Sequence, residues 1–174
     1  MPKIANSLNY FYTSSLKTHL GWMRPVSNGN SLIRLDWNQN GWKEPDRPDH
    51  VSRETKSQLQ AFLDGHLQQF DLPLEPADKN TKRQYWLNFM EKIPYGMVMS
   101  YSEFASFAGK PKAARAAGSI CASNPIPIIY PCHRVIRKDG KLGNYGGGSN
   151  YHSAHSDNLA RKAALISLET YFTT

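Results

Sequence analysis

Cys132 and His133 stand side by side in the stretch Asn124-Pro125-Ile126-Pro127-Ile128-Ile129-Tyr130-Pro131-Cys132-His133-Arg134-Val135-Ile136. Cysteine reacts as its thiolate, and an unperturbed thiol, with a pKa of about 8.5, is ionised only to a few per cent at neutral pH. An adjacent imidazole and the Arg134 guanidinium give Cys132 an electropositive setting that favours the thiolate. Prolines 125, 127 and 131 bar an ordinary helix and hold the cysteine at a rigid, extended or turning position. The dipeptide alone fits a nucleophile or an inert buried cysteine, and the second is the commoner case. The only other cysteine, Cys121, reads as a small apolar residue.

The elements that must hold this stretch are partly legible. Ser100 can cap a helix, and Glu103 completes a capping box. The spacing predicts a helix over 101–108, ended by Gly109, and a second over about 112–121 with Pro111 as its first residue. Two short helices around a tight turn are a helix-turn-helix candidate. The second helix, Ala113-Ala114-Arg115-Ala116-Ala117-Gly118-Ser119, is almost all small residues. Such a helix packs tightly inside a core or brings its backbone close to another surface, and the unpaired Arg115 argues against the core. Upstream, Trp86, Phe89, Met90 and Ile93 predict a helix over 81–93. Residues 55–70 predict another, with Leu59, Phe62, Leu63, Leu67 and Phe70 on one face. Asn9–Thr13 is β-prone, Ser31–Trp37 alternates as a half-buried strand, and the segment from Trp42 to His50 is a loop. The proline-bearing segment 71–79 predicts a boundary between an N-terminal α/β unit, 1–78, and a C-terminal unit, 79–174.

Pro131-Cys132-His133-Arg134-Val135, with Asn124-Pro125 before it, resembles the active-site motif of the O6-alkylguanine-DNA alkyltransferases. The likeness extends to Ile93-Pro94-Tyr95-Gly96, Ser100-Tyr101, Lys112-Ala113-Ala114-Arg115-Ala116 and Gly143-Asn144-Tyr145-Gly146-Gly147, covering about residues 81–148 in order and spacing, with a weaker match over 62–74. The resemblance implies an α/β (α+β) fold: an RNase H-like N-terminal subdomain and a helical C-terminal domain carrying the helix-turn-helix. It implies that Cys132 attacks the alkyl carbon on guanine O6, with O4-alkylthymine as a related substrate, and keeps the group after a single turnover. His133, through a water, and Glu169 match the groups that deprotonate the cysteine. Tyr101 matches the hydroxyl that protonates the leaving base. The base must be flipped out of the duplex. Arg115 matches the residue that fills the gap, while Ala114, Gly118, Lys112 and Ser100 fall on the DNA-facing side. Asn124, Val135, Tyr145 and Gly146 match the base pocket: Tyr145 against the base, the Gly146 N–H toward O6, the Val135 carbonyl toward the exocyclic amine, and Asn124 tying the helix pair to the loop. The loop from Gly148 to Asn158 is longer than the resemblance leads one to expect, and its polarity predicts a mobile rim.

Bulk properties agree with a polyanion partner. The chain has 174 residues and a formal net charge of +7. Residues 109–162 hold nine basic residues against Asp139 and Asp157, so the remainder is neutral. Two cysteines make no disulfide framework, there is no secretory signal, and no apolar run reaches membrane-span length, which predicts a reducing cytoplasm, or a nucleus in a eukaryote. His152 and His155 lack the further ligands a metal site needs, so no metal and no diffusible cofactor are expected. The expected partner is alkylated double-stranded DNA, entered at the minor groove by a protein monomeric in solution, with cooperative loading along DNA left open. A lesion-flagging binding module would not need Cys132. A Cys-His hydrolase would need an oxyanion hole and leaves the small-residue helix and the local charge without a role.

Overall fold

The computed structural model describes residues 11–146, 149 and 152–174. Asn9 and Tyr10 of the predicted first strand, Gly147 of the glycine motif, and Gly148, Asn150 and Tyr151 of the long loop lie outside the described residues.

The N-terminal half is an antiparallel sheet with one helix on it. Strand β3 (Gly21–Ser27) pairs on one side with β4 (Leu32–Asn38). On its other side it pairs with β1 (Tyr12–Thr13) and then β2 (Leu16–Thr18). Pro25 can sit in this central strand because it falls at the break between β1 and β2, where no ladder N–H is required. Ser15 at that break uses its hydroxyl to accept from Arg24 Nε at 2.8 Å. In β4, Ile33, Leu35 and Trp37 are buried and Arg34 and Asp36 half-buried, as the alternation predicts, and Leu32 is buried as well.

Helix α1 (His50–Leu63) starts five residues before the predicted Thr55 and stops seven before Phe70. Its start is set by Asp49, which accepts from the Ser52 N–H while Ser52 Oγ accepts from the Asp49 N–H. It stops because Gly65 turns the chain at φ +77°, under the Phe172 ring, where a Cβ would lie 2.2 Å from the ring. The predicted linker runs along the outer edge of β4. Leu32 N–H donates to the Pro73 carbonyl at 2.8 Å and Ala77 N–H to that of Ile33 at 3.1 Å. Farther along the edge, Leu35 N–H donates to the Pro125 carbonyl at 2.9 Å, and Trp37 bridges Ser149. The edge that would otherwise template another strand is thus covered first by the linker and then by the C-terminal half.

That half comprises α2 (Thr81–Met90), β5 (Met99–Ser100), α3 (Tyr101–Phe107), α4 (Ala114–Ala122), β6 (Val135–Ile136) and α5 (Ser156–Thr173). The Ser100/Glu103 capping box forms as predicted. Pro111 instead lies in the turn, and α4 begins at Ala114 without a side-chain cap. One apolar core joins the halves, from Met23 and Leu35 through Phe62 to Leu87, Phe104, Ala117 and Leu165. No helix among the described residues is long and apolar enough to cross a membrane.

Candidate active site

Three short elements meet at Cys132. The tripeptide Cys132–Arg134 forms one 3₁₀ turn, closed by Arg134 N–H donating to the Pro131 carbonyl at 3.0 Å. The turn leads into β6, whose parallel pairing sets Met99 opposite Val135 and Ser100 opposite Ile136. That pairing places Tyr101, the first residue of α3, beside the cysteine turn. The approach to Cys132 is tight: Ile128 is held at φ +74°, where a β-branched side chain is strained by about 1–3 kcal/mol. Burial of Ile126, Ile128 and Ile129 holds this turn in place, and Tyr130 N–H closes it on the Ile126 carbonyl at 3.0 Å.

Asn124, just past α4, ties the helix pair to this turn. Its amide N–H groups donate to the Tyr130 carbonyl at 2.7 Å and to Cys132 Sγ at 3.0 Å, and its Oδ1 accepts from Ile126 N–H at 3.0 Å. Cys132 has no exposed surface. Burial pushes its thiol up to about 11, against the Asn124 hydrogen bond and the Lys162 charge. The expectation of a setting that by itself favours the thiolate is therefore corrected: desolvation wins, and the proton must be taken by a base.

The base stands next in sequence. His133 Nε2 lies 2.6 Å from Glu169 Oε1 on α5. Burial would raise the Glu169 carboxyl, but hydrogen bonds from His133 and Arg134 hold it at about 2. A carboxylate only accepts, so Nε2 carries the imidazole proton and Nδ1 is left as the basic nitrogen. Nδ1 is buried with no hydrogen-bond partner among the described residues. Burial also lowers the His133 pKa, against the pull of Glu169, so the ring is neutral at pH 7. Arg134 serves this pair rather than the thiol. Its Nε and Nη2 donate to Glu169 at 2.8–3.1 Å and its Nη1 donates to the Ile93 carbonyl at 2.5 Å. Gly96 N–H adds a further bond to Oε2 at 3.0 Å.

The cation that bears on the thiol is Lys162, which by sequence is only one of the nine basic residues of 109–162. It is fully buried and donates to the carbonyls of Val135 at 2.7 Å and Leu142 at 2.5 Å. Its Nζ also lies 3.4 Å from the Tyr101 hydroxyl. The signal was present in the pattern: Asn158, Arg161, Lys162, Leu165 and Glu169 recur at core spacing on α5, yet four of the five are polar. Burial, and then the two thiols, raise the Tyr101 pKa, so its hydroxyl keeps its proton. Gly143, at φ +71°, closes over that hydroxyl, where a Cβ would lie 2.5 Å away.

The glycine loop comes close as well. A Cβ on Gly146 would lie 2.0 Å from the Ala122 carbonyl at the end of α4, so only glycine fits. Tyr145 is buried, edge-on to Trp37. Lys112, Arg115 and the rim of Ala114 face outward, away from this cluster. A Cβ on Gly118 would find its nearest atom 3.9 Å away, so internal packing does not demand a glycine there. Of the nine basic residues in 109–162, Arg134, Arg161 and Lys162 are buried, which leaves six on the surface for a polyanion. His152 and His155 accept backbone N–H groups at the start of α5, each at 3.2 Å.

The description "6-O-methylguanine DNA methyltransferase, DNA binding domain" matches residues 81–171. The chain is 34% identical over 162 residues to the constitutive methylated-DNA–protein-cysteine methyltransferase of Bacillus subtilis, covering 88% of this chain and 96% of that one. It is 47% identical over 96 residues to the Methanosarcina barkeri protein of the same name, 55% of this chain, and spans 60% of the length of that relative. The crystal structure of Mycobacterium tuberculosis O6-methylguanine methyltransferase superposes with a TM-score of 0.77 at 33% identity, over 93% of this chain and 94% of that one. A structure of the M. tuberculosis protein in complex with DNA superposes at 0.75, also at 33% identity, over 91% and 92%.

Proposed function

Because the chain belongs to the 6-O-methylguanine DNA methyltransferase family, we propose that it repairs duplex DNA by moving an alkyl group from guanine O6, or the related thymine O4, onto its own Cys132. The observation that carries this is the fully buried Cys132, whose Sγ accepts from Asn124 at 3.0 Å beside the His133–Glu169 pair. The thiol proton passes to His133 Nδ1 by way of a water. The sulfur forms a bond to the alkyl carbon as the carbon–oxygen bond breaks. The departing guanine takes a proton at N3 from Tyr101, whose hydroxyl the Lys162 charge faces at 3.4 Å. One proton leaves the thiol and one reaches the base, so the exchange is neutral overall. The product is a thioether, which offers water no carbonyl to attack, and each molecule therefore acts once.

The base reaches this buried sulfur only when flipped out of the stack. Helix α4 suits the minor groove: it carries small residues, its N-terminal N–H groups are uncapped, and Gly118 has room that internal packing does not use. Arg115 fills the gap left by the base, and Lys112, Ala114 and Ser100 lie along the backbone. Tyr145, the Gly146 N–H and the Val135 carbonyl frame the base. Lys162 occupies one lone pair of that carbonyl and leaves the other for the exocyclic amine. The protein works as a monomer in the reducing compartment that holds the DNA, with residues 1–78 as its supporting subdomain.

Mixing the protein with a duplex containing one O6-methylguanine tests the central claim. The intact mass should rise by one methyl group, in a burst equal to the protein present, and peptide mapping should find it on Cys132. Continued turnover, or a methyl group on Cys121, overturns the reading. Arg115→Ala should slow repair of the duplex at least tenfold while changing reaction with the free alkylated base less than about twofold, because only the duplex requires the flipped state to be held. Equal losses on both substrates would remove Arg115 from base flipping.

A further inference from the structure

We propose that Trp37, on the N-terminal sheet, is a positioning residue for the base pocket and acts by fixing the ring of Tyr145. This rests on the alkyl-transfer reading. Tyr145 is 1% exposed, and its hydroxyl has no hydrogen-bond partner among the described residues. Among the described residues no polar contact at the ring's tip sets its orientation, and packing does. The Trp37 ring meets it edge-on, with centroids 6.5 Å apart and planes at 81°.

Trp37 is itself held on several sides. Its Nε1–H donates to the Leu20 carbonyl at 3.0 Å. The Arg161 guanidinium lies 4.7 Å from its ring centroid and donates through Nε to the same carbonyl at 3.0 Å. Gly21, at φ +109°, lets the turn come this close, since a Cβ there would lie 3.2 Å from Arg161 and 3.3 Å from Trp37 Nε1. The backbone makes the same connection. Trp37 pairs with Met23 inside the sheet and bridges Ser149 outside it, and Ser149 N–H donates to the Gly146 carbonyl at 3.1 Å. The sheet thus grips the glycine loop at two points, by a side chain at Tyr145 and by backbone at Ser149. A subdomain that brings no reacting group to Cys132 in this way sets the shape of the pocket wall.

An edge-on aromatic pair holds its partner with an energy equivalent to about two- to tenfold in a rate. Single-turnover transfer from a methylated duplex at saturating DNA should slow by that factor in Trp37→Leu, and by less in Trp37→Phe, whose shorter ring withdraws only part of the edge. DNA affinity should stay unchanged. In a Tyr145→Leu background neither substitution should slow transfer further, because the ring they act through is gone. A merely structural role gives the same slowing in both backgrounds, tracking the loss of thermal stability, and would overturn the proposal. Should Trp37→Leu fail to fold, the cycle with Trp37→Phe decides alone. A wild-type protein that takes up no methyl group would refute the alkyl-transfer reading itself, whatever these variants do.

Discussion

Glu169→Gln is expected to cost about 3–5 kcal/mol of stability and to slow alkyl transfer at least a hundredfold. The substitution keeps the shape of the side chain and removes its charge. Glu169 is 2% exposed and receives His133, two nitrogens of Arg134 and the Gly96 N–H. Glutamine cannot accept all of these, and Arg134 becomes a buried cation without its counter-ion. The same cluster fixes the pH dependence. The Glu169 carboxyl is held at about 2, below its value of 4.5 in an unfolded chain, so its contribution is complete above about 4.5 and is lost as pH falls toward 2. His133 is buried neutral with a lowered pKa, so the unfolded chain binds that proton first and stability already declines as pH drops below 6.5. Both slopes have one sign. Urea midpoints measured between pH 8 and about 2.5 should fall steadily for the wild type, and below about pH 4.5 the fall should be shallower for Glu169→Gln. An unchanged midpoint at pH 7 would show that the cluster carries no stability.

Much of this site could be read before the fold was known, and the unread part has a common cause. The capping box at Ser100 and the alternation of β4 are local patterns, and each formed as expected. Helix α1 departs from the predicted 55–70 because its cap, Asp49 with Ser52, lies outside the Ser/Thr-x-x-Glu pattern, and because Gly65 stops it before the apolar spacing ends. By sequence Arg134 and Lys162 are legible only as charges, Arg134 as a cation beside the thiol and Lys162 as one of the basic residues of 109–162. Only the fold shows that each is surrounded by acceptors, Arg134 by Glu169 and the Ile93 carbonyl, Lys162 by the carbonyls of Val135 and Leu142. These partners lie 20 to 41 residues away in the chain, beyond the reach of any periodicity.

Tyr101→Phe should slow the saturated single-turnover rate by about 10²–10⁴-fold, the range for loss of a general acid, with DNA affinity changed less than about threefold. The geometry lets this variant separate chemistry from folding. Among the described residues the Tyr101 hydroxyl makes one hydrogen bond, with Lys162 Nζ at 3.4 Å, too long to hold much energy. Lys162 keeps its shorter bonds to the Val135 and Leu142 carbonyls when that oxygen is removed. The ring stays under Gly143, so the pocket keeps its shape. What disappears is a proton donor whose pKa burial raises, and which therefore stays protonated across the range in which the neutral His133 can accept. The wild-type rate should accordingly fall only on the acid side, somewhere below the free-imidazole value of 6.5, as His133 protonates, and hold level above it. In the phenylalanine variant the same acid limb should persist at the lower rate, because the base is untouched and only the acid is gone. A variant with the wild-type rate, or one whose loss disappears at saturating DNA, would take the proton on the leaving guanine away from Tyr101 and assign it to solvent.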